Sequence, residues 1–275
     1  IQAWYRDHGS SADRGNGKGQ TKGLPPGIAK NLARGKPLPP GIAKQHLPDG
    51  LAHSLPAPPR GYERVIIDGK VLLVDTNGQP LRCSELGEHR EFVFHYPYRS
   101  TPCFLIDMGK SLPAVEGLTT ENGAHYHWQG GAGPNRSVVA FSAICAHQLS
   151  HPSKMVSFIG YRDKSVGFVN NEQQVEQREH IIQCCSERSI YDPAKGAAVV
   201  AGPAPQPLAA IALTTEDEHI YATGVYGGDQ FARYFEKFGE RLTFEYLGDS
   251  YAEMMTERSV AVPGEQFSRN RISCT

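Results

Sequence analysis

The chain has 275 residues, a net charge of −1 and 21% charged residues, so its overall charge does not indicate a nucleic-acid partner. No apolar run approaches the roughly 18 residues that a membrane-spanning helix needs. The charge is uneven, because residues 1–60 carry +6 and residues 61–275 carry −7. Nine of the 20 prolines and nine of the 29 glycines also lie in the first 60 residues. We therefore expect a disordered basic arm followed by a globular region.

The arm contains an internal repeat, since Leu-Pro-Pro-Gly-Ile-Ala-Lys occurs at residues 24–30 and again at residues 38–44. A short β-hairpin segment is predicted at residues 61–84, where two apolar runs flank Asp68-Gly69, a strong turn signal. The repeat and this segment resemble small bacterial periplasmic proteins of the nickel/cobalt-homeostasis type. That resemblance implies an exported protein and says little about its chemistry.

Residues 85–225 have the pattern of an all-β domain. Short runs rich in Val, Ile, Phe and Tyr are separated by Gly, Pro and Asn turns, which favours an antiparallel β-sandwich or barrel over alternating strands and helices. The runs lie at residues 91–98, 103–107, 137–144, 155–162, 180–184, 197–200, 208–213 and 219–225.

Residues 226–275 are predicted to form a helix followed by an extension. The helix is predicted over residues 228–238 and is expected to end at Gly239. Its apolar face, expected to pack in the core, carries aromatic residues at helical spacing: Phe231, Tyr234, Phe235 and Phe238. The last 35 residues are mixed and charged, and we expect them to wrap the domain or a partner.

Two motifs combine groups that bind iron. In the first, a predicted buried strand runs directly into Cys145-Ala-His147, which places a thiolate and an imidazole two residues apart on a rigid mount. The second reads Cys-Cys-Ser-Glu-Arg-Ser-Ile-Tyr-Asp-Pro over residues 184–193. It is followed by Gly-Pro-Ala-Pro-Gln-Pro-Leu at residues 202–208.

Together these motifs resemble the Rieske iron–sulfur proteins over roughly residues 85–225. The family pattern is Cys-x-His, then Cys-x-x-His, then Ser-x-Tyr/Phe-Asp and a proline loop close to GPAPxPL. The resemblance implies a Rieske-like β domain with a [2Fe–2S] cluster, held by two Cys on one iron and two His on the other. It also implies that Ser189 and Tyr191 hydrogen-bond to a bridging sulfide and to a cysteine sulfur, which tunes the potential.

One position departs from that pattern, because the second histidine is missing. With the motif anchored on Ser189 the position holds Glu187, and with Cys185 taken as the ligand it holds Arg188. An arginine cannot ligate iron because its guanidinium stays protonated, whereas a glutamate is a hard oxygen donor.

The resemblance therefore implies Cys145, His147 and Cys184 as ligands and leaves the fourth open between Glu187, Cys185 and a recruited histidine. The histidines available nearby are His151 and His180. The disulfide common in the family is expected to be absent, since serines stand where its cysteines would lie: Ser150 and Ser186.

Two functions remain open on these grounds. The first is electron transfer through a [2Fe–2S] cluster, as a subunit or partner of a redox complex; the chain would not be a catalyst on its own. Its partners would be other subunits, a cytochrome or a quinol, and retention of the ligand and tuning residues favours this function. The second is a cluster-free accessory or assembly subunit that has kept the fold. The N-terminal resemblance by itself implies a third possibility, the handling of nickel or cobalt by the N-terminal region.

The N-terminal resemblance predicts a location in the periplasm or at its membrane surface. Because the chain begins at Ile1 rather than at Met, we expect any export signal or anchor to have been lost upstream. The basic arm is expected to dock on an acidic partner or on anionic lipid, with an affinity that falls as salt rises.

The remaining histidines and cysteines have simpler interpretations. His125 and His127 lie on a predicted strand with both imidazoles on one side, and we expect a structural role for them. Three cysteines lie outside the two motifs, and each is expected to be a buried thiol or part of a structural disulfide: Cys83, Cys103 and Cys274.

Overall fold

The computed structural model describes residues 70–274, together with two short strands at residues 45–46 and 65–66. The chain divides into two compact units, residues 1–68 and residues 69–275. In the first unit the two described strands pair antiparallel with each other. Apart from residues 45–46, which form a strand where disorder was expected, the predicted arm with its repeat lies outside the described residues, as does the turn of the predicted hairpin.

The described part of the chain is mostly β-structure. Its strands are β1 (Gln45–His46), β2 (Val65–Ile66), β3 (Val71–Val74), β4 (Glu91–His95), β5 (Pro102–Asp107), β6 (Val115–Thr119), β7 (His125–Trp128), β8 (Val138–Ser142), β9 (Val156–Ser157), β10 (Ile159–Arg162), β11 (Val166–Val169), β12 (Val175–Arg178), β13 (Ile181–Cys184), β14 (Ser189–Asp192), β15 (Ala198–Ala201), β16 (Ala210–Glu216), β17 (His219–Tyr226), β18 (Arg258–Val260), β19 (Val262–Pro263) and β20 (Asn270–Arg271). The α-helices are α1 (Gln230–Glu245) and α2 (Gly264–Phe267), and short 3-10 turns lie at Cys83–Glu85, Pro193–Lys195 and Asp249–Ala252.

The predicted all-β architecture is confirmed, and its strands pair antiparallel except for the parallel pairs β3–β18 and β9–β20. The apolar runs coincide with β4, β5, β8, β10, β13, β15, β16 and β17. The sequence prediction contains a strand at β7, but it lacks the partner strand β6 and the hairpin β11–β12. Their side chains are mostly exposed or half-buried, so no apolar run marks them.

The largest sheet is closed by the C-terminal extension. Its strand order is β18-β3-β17-β16-β8-β5-β4-β19, and only Ala261 separates the two edge strands in sequence. On one side the Ala261 N–H donates to the carbonyl of Val74 at 2.8 Å. On the other side the Ser259 hydroxyl accepts from the N–H of His95 at 3.0 Å and donates to its carbonyl at 2.9 Å. The extension thus wraps the domain and nearly closes the sheet into a barrel.

A second, four-stranded sheet packs against the outer face of this barrel. Its order is β10-β13-β14-β15, with all strands antiparallel. Along β5, Leu105 faces the barrel interior, whereas Phe104 and Ile106 belong to a cluster with Ile182 and Tyr191 of the second sheet. Because both faces of β5 are covered, its sequence is continuously apolar rather than alternating.

Helix α1 carries the predicted aromatic stripe and is longer than predicted. Phe231 and Tyr234 are buried against Ile144 and Leu149. The helix does not end at Gly239, because Leu242 continues the buried stripe for another turn. A glycine inside a helix costs only about 1 kcal/mol, which such packing offsets. Within the described residues, none of the helices combines the length and apolarity needed to cross a membrane.

His95 gives the barrel a predictable dependence on pH. Burial lowers the pKa of its imidazole from 6.5 to about 4. Between those values the unfolded chain binds the proton and the folded chain does not, so stability is lost as the pH falls. The loss should reach roughly 3 kcal/mol. Urea denaturation at about pH 7 and about pH 4.5 should show a smaller difference for His95→Phe than for the wild type. The exposed His125 supplies the control His125→Phe, and equal pH dependence in all three proteins would contradict the prediction.

Candidate functional site

Three loops meet beside the second sheet and carry the predicted site. The first loop, residues 143–150, follows β8. The second loop, residues 185–188, joins β13 to β14, and the proline loop, residues 202–207, joins β15 to β16. Cys184 ends β13 and Ser189 begins β14, and the two residues are opposite each other in the ladder.

Cys145 of the first loop and Cys184 are brought together from distant parts of the sequence. Both residues are fully buried, and their thiols share a hydrogen bond. That hydrogen bond lowers the pKa of the Cys145 thiol against the effect of burial, with a further contribution from Tyr191. The same hydrogen bond, followed by burial, raises the pKa of Cys184. The pair therefore favours one thiolate and one thiol.

Backbone N–H groups of the first and second loops act to lower the pKa of both cysteine thiols. Each cysteine receives them from the residues that follow it in its own loop: His147 and Gln148 for Cys145, and Ser186 and Glu187 for Cys184. Such a nest of N–H groups stabilises negative charge on sulfur, which is the form that binds metal.

Tyr191 and Ser189 complete the surroundings of the cysteine pair. The Tyr191 hydroxyl lies 3.2 Å from the Cys145 sulfur and accepts a hydrogen bond from the Ala146 N–H at 3.1 Å. Because the hydroxyl accepts from Ala146, its own proton is free to point at the sulfur. Ser189 is fully buried, and its Oγ has no hydrogen-bond partner.

His147 and Glu187 face each other across the first and second loops. The distance between His147 Nδ1 and Glu187 Oε2 is 3.8 Å, beyond a hydrogen bond. Nδ1 is nevertheless buried and has no hydrogen-bond partner. Glu187 is therefore a second-loop side chain that lies beside the histidine.

These groups form two pairs rather than one cluster of donors. Nowhere in the described ranges do three His, Cys, Asp or Glu side chains converge to hold a single metal ion. Cys145 lies with Cys184, and His147 lies with Glu187. A [2Fe–2S] cluster needs two protein ligands for each iron, since the sulfides supply the remaining coordination. The unpartnered His147 Nδ1 and Ser189 Oγ fit such a group, with Glu187 as the one unusual donor.

The structure corrects the prediction for Cys185. Its sulfur is bonded to that of Cys274, so it has no thiolate to offer a metal. The same segment is held by Arg162, whose guanidinium donates to the carbonyl of Ile272 at 2.6 Å. A disulfide is thus present at the second loop, but it joins that loop to the C-terminal extension. Cys83 and Cys103 are buried free thiols.

The two recruitable histidines have other partners. His151 Nδ1 lies 2.9 Å from the carbonyl oxygen of Leu149, and its ring packs on aromatic side chains of α1. His180 stacks on His89 with ring centroids 3.8 Å apart, and its Nδ1 is 3.0 Å from the Tyr161 hydroxyl. Burial lowers the pKa of both histidines. Neither joins the cysteine pair.

His125 and His127 are on β7, where a strand was predicted, and both are exposed. Each contacts β6: His125 Nδ1 is 3.0 Å from Thr119 Oγ1, and His127 Nδ1 is 2.6 Å from Glu116 Oε1. These contacts hold the β6–β7 hairpin together, in line with the structural role expected for them.

The polar face of α1 was not predicted from the sequence. Besides the predicted aromatic stripe, Gln230, Arg233 and Lys237 are spaced as neighbours on one helical face. These side chains contact the first loop. Their spacing could have predicted a polar face on the helix. It could not have predicted the contact with the first loop, which lies 86 to 89 residues away in sequence.

Of three comparisons with known proteins, the one with solved structures finds a match. No family model matches the chain, and no curated protein is significantly similar to it. Among solved structures, the soluble domain of the Rieske protein II (soxF) from Sulfolobus acidocaldarius is similar at 24% sequence identity with a TM-score of 0.39. That match covers 57% of this chain and 81% of the other.

Gly202 of the proline loop lies so close to the backbone of the second loop that a side chain would not fit there. Its φ is +88°, and a Cβ would lie 2.5 Å from the Arg188 carbonyl oxygen. We expect Gly202→Ala to lower the free energy of unfolding by about 1–3 kcal/mol through strain and overlap. Gly123, with φ +80° and open space around its Cβ position, gives the control Gly123→Ala. Urea denaturation should show the larger loss for Gly202→Ala, and equal losses would refute the overlap.

The disulfide between Cys185 and Cys274 closes a loop across 89 residues. Removing it with Cys274→Ser should lower the free energy of unfolding by about 2–5 kcal/mol, because the unfolded chain is then less constrained. A reductant should destabilise the wild type to the same level and leave Cys274→Ser unchanged. Thiol titration of the unfolded wild type should find four free thiols before reduction. Six thiols before reduction would rule the bond out.

Proposed function

We propose that this chain transfers single electrons through a Rieske-type [2Fe–2S] cluster, as a subunit or partner of a redox complex in the periplasm. Cys145 and Cys184 would hold one iron, and His147 and Glu187 would hold the other. On this proposal the protein carries electrons and is not a catalyst on its own.

The proposal is supported above all by the unpartnered groups around the cysteine pair. Two of the buried side-chain polar atoms that lack a hydrogen-bond partner in the described residues, His147 Nδ1 and Ser189 Oγ, lie at this site. Leaving a buried polar atom unpaired costs about 1–3 kcal/mol. A bound cluster would give His147 Nδ1 and Ser189 Oγ partners, and the two sulfurs are already gathered for it.

Residues of the chain would tune the redox centre. When bound, the cluster supplies a one-electron couple whose potential depends on ligand charge and on hydrogen bonds to sulfur. The Tyr191 hydroxyl and the backbone N–H groups stabilise negative charge on the cysteine sulfurs, which raises the potential. Glu187 brings a negative charge where the family has a neutral imidazole, so we expect a lower potential than that of a site with two histidines.

The disulfide supports a location outside the cytoplasm, since such bonds persist in oxidising compartments. Other subunits of a redox complex, a cytochrome or a quinol are the partners we propose. For the basic arm of residues 1–60 we propose an acidic partner or anionic lipid, bound more weakly as the salt concentration rises.

An accessory subunit without a cluster is the second candidate. It is favoured by Glu187 at the expected histidine position and by the lack of three converging donors in the described part of the chain. In that case the thiol pair and its hydrogen bonds would serve packing alone.

Iron and acid-labile sulfide should be measured per chain, with an electron paramagnetic resonance spectrum after reduction. We expect two irons and two sulfides, the composition of a [2Fe–2S] cluster. His147→Ala and Cys145→Ser should lose both, whereas His125→Ala, which removes an exposed histidine outside the site, should keep them. Folded wild-type protein without iron, prepared from its native source, would favour the accessory subunit.

Glu187 provides a second arm of this experiment. Glu187→His should keep the iron and raise the midpoint potential, because a neutral ligand replaces an anionic one. Glu187→Ala should lose iron. Equal iron content and potential in the wild type and both variants would exclude Glu187 as a ligand without excluding the cluster.

A further inference from the structure

Three polar side chains on one face of α1 donate to carbonyl groups of the first loop. Gln230 Nε2 donates to the Ile144 carbonyl at 3.2 Å. Arg233 donates to the His147 carbonyl at 3.3 Å, and Lys237 Nζ donates to the Gln148 carbonyl at 2.9 Å. The spacing of the three donors places them along one side of the helix, facing successive parts of the loop. The loop is thereby fixed on both sides of His147.

Arg233 also connects the first loop to the proline loop. Its guanidinium forms an ion pair with the carboxylate of Glu121 in the β6–β7 turn. The backbone N–H of Glu121 donates to the buried side-chain oxygen of Gln206 at 2.7 Å. The side-chain nitrogen of Gln206 in turn donates to Asp229, which precedes α1, at 2.9 Å. Both ends of the Gln206 amide are used, so the proline loop is held in register with the helix.

The two cations also line an open groove beside the histidine. The groove has a volume of about 430 Å³ and is lined by His147, Gln148, Leu149, Arg233, Glu236 and Lys237. Hydrogen bonds from a charged donor are stronger than neutral ones. Arg233 is half-buried and Lys237 is exposed, so screening by water weakens the second contact more than the first.

We propose that Arg233 and Lys237 are positioning residues for His147. By holding the His147 and Gln148 carbonyls they fix the orientation of the imidazole, and their positive charges favour the reduced, more negative state of the site. The redox consequence rests on the proposed function, whereas the effect on the first loop does not.

The first test measures hydrogen exchange of the backbone amides of residues 144–150 in protein without iron. Arg233→Met should speed exchange there by roughly tenfold or more, since it removes a charge-assisted hydrogen bond. Lys237→Met should speed exchange less than Arg233→Met does. Lys237→Arg keeps the positive charge, so its amides should exchange as slowly as those of the wild type. The matched control is Arg241→Met, on the same helix, where the ion pair that Arg241 forms among the described residues is with Glu245 at 2.8 Å. Circular dichroism confirms that each variant is folded, and the two Lys237 variants keep the test informative if Arg233→Met unfolds.

The second test is the midpoint potential of iron-loaded protein. It should fall in Arg233→Met and Lys237→Met and change less in Arg241→Met, because only the first two charges adjoin the histidine. Exchange that rises equally in Arg233→Met and Arg241→Met would overturn the positioning role whatever the iron content. A rise specific to Arg233→Met in a protein that never binds iron would uphold the effect on the first loop and overturn the electron-transfer proposal. Faster exchange with an unchanged potential would overturn the role of Arg233 toward His147.

Discussion

The packing of the second sheet against the outer face of the barrel is the contact on which the site depends. Phe104 of the barrel belongs to one buried cluster with Ile182 and Tyr191 of the second sheet, and Cys145 and Cys184 are members of the same cluster. The two sulfurs therefore meet only where the sheets meet. Tyr191 belongs both to the packing and to the site, since its ring packs in the cluster and its hydroxyl faces the Cys145 sulfur. Because protein interiors are close-packed, a shift of either sheet would move the sulfurs as well.

The C-terminal extension contributes both to the stability of the barrel and to the positions of the loops at the candidate site. It closes the barrel at Ala261 and anchors the second loop through Cys274, while α1 holds the first loop. In this chain the first and second loops are thus each held from the C-terminal region and not by a disulfide between them. Such an arrangement leaves Ser150 and Ser186 free of any covalent role. It also makes the precision of the site depend on a segment that contributes none of the proposed ligands.

The chemistry proposed here follows from groups that the rest of the fold does not use. The hydroxyl oxygen of Ser189 and the Nδ1 atom of His147 are buried without hydrogen-bond partners, which is expensive to keep without a ligand. Glu187 sets this site apart from the family pattern, because an anionic oxygen replaces a neutral nitrogen. The glutamate at this position therefore weakens the resemblance to the Rieske pattern and also predicts a lower potential than that of a site with two histidines.

Local features of the fold could be predicted from the sequence. Apolar runs predicted the core strands, the aromatic spacing predicted α1, and the Cys145-Ala-His147 motif was correctly placed at the end of a buried strand. The contacts between groups that are distant in sequence could not be predicted in this way. The partner of Cys185 lies 89 residues away, and no periodicity records that distance. The contacts of Arg233 with the first loop and the closure of the barrel at Ala261 likewise join segments whose proximity arises from packing, and packing is set by the whole chain at once.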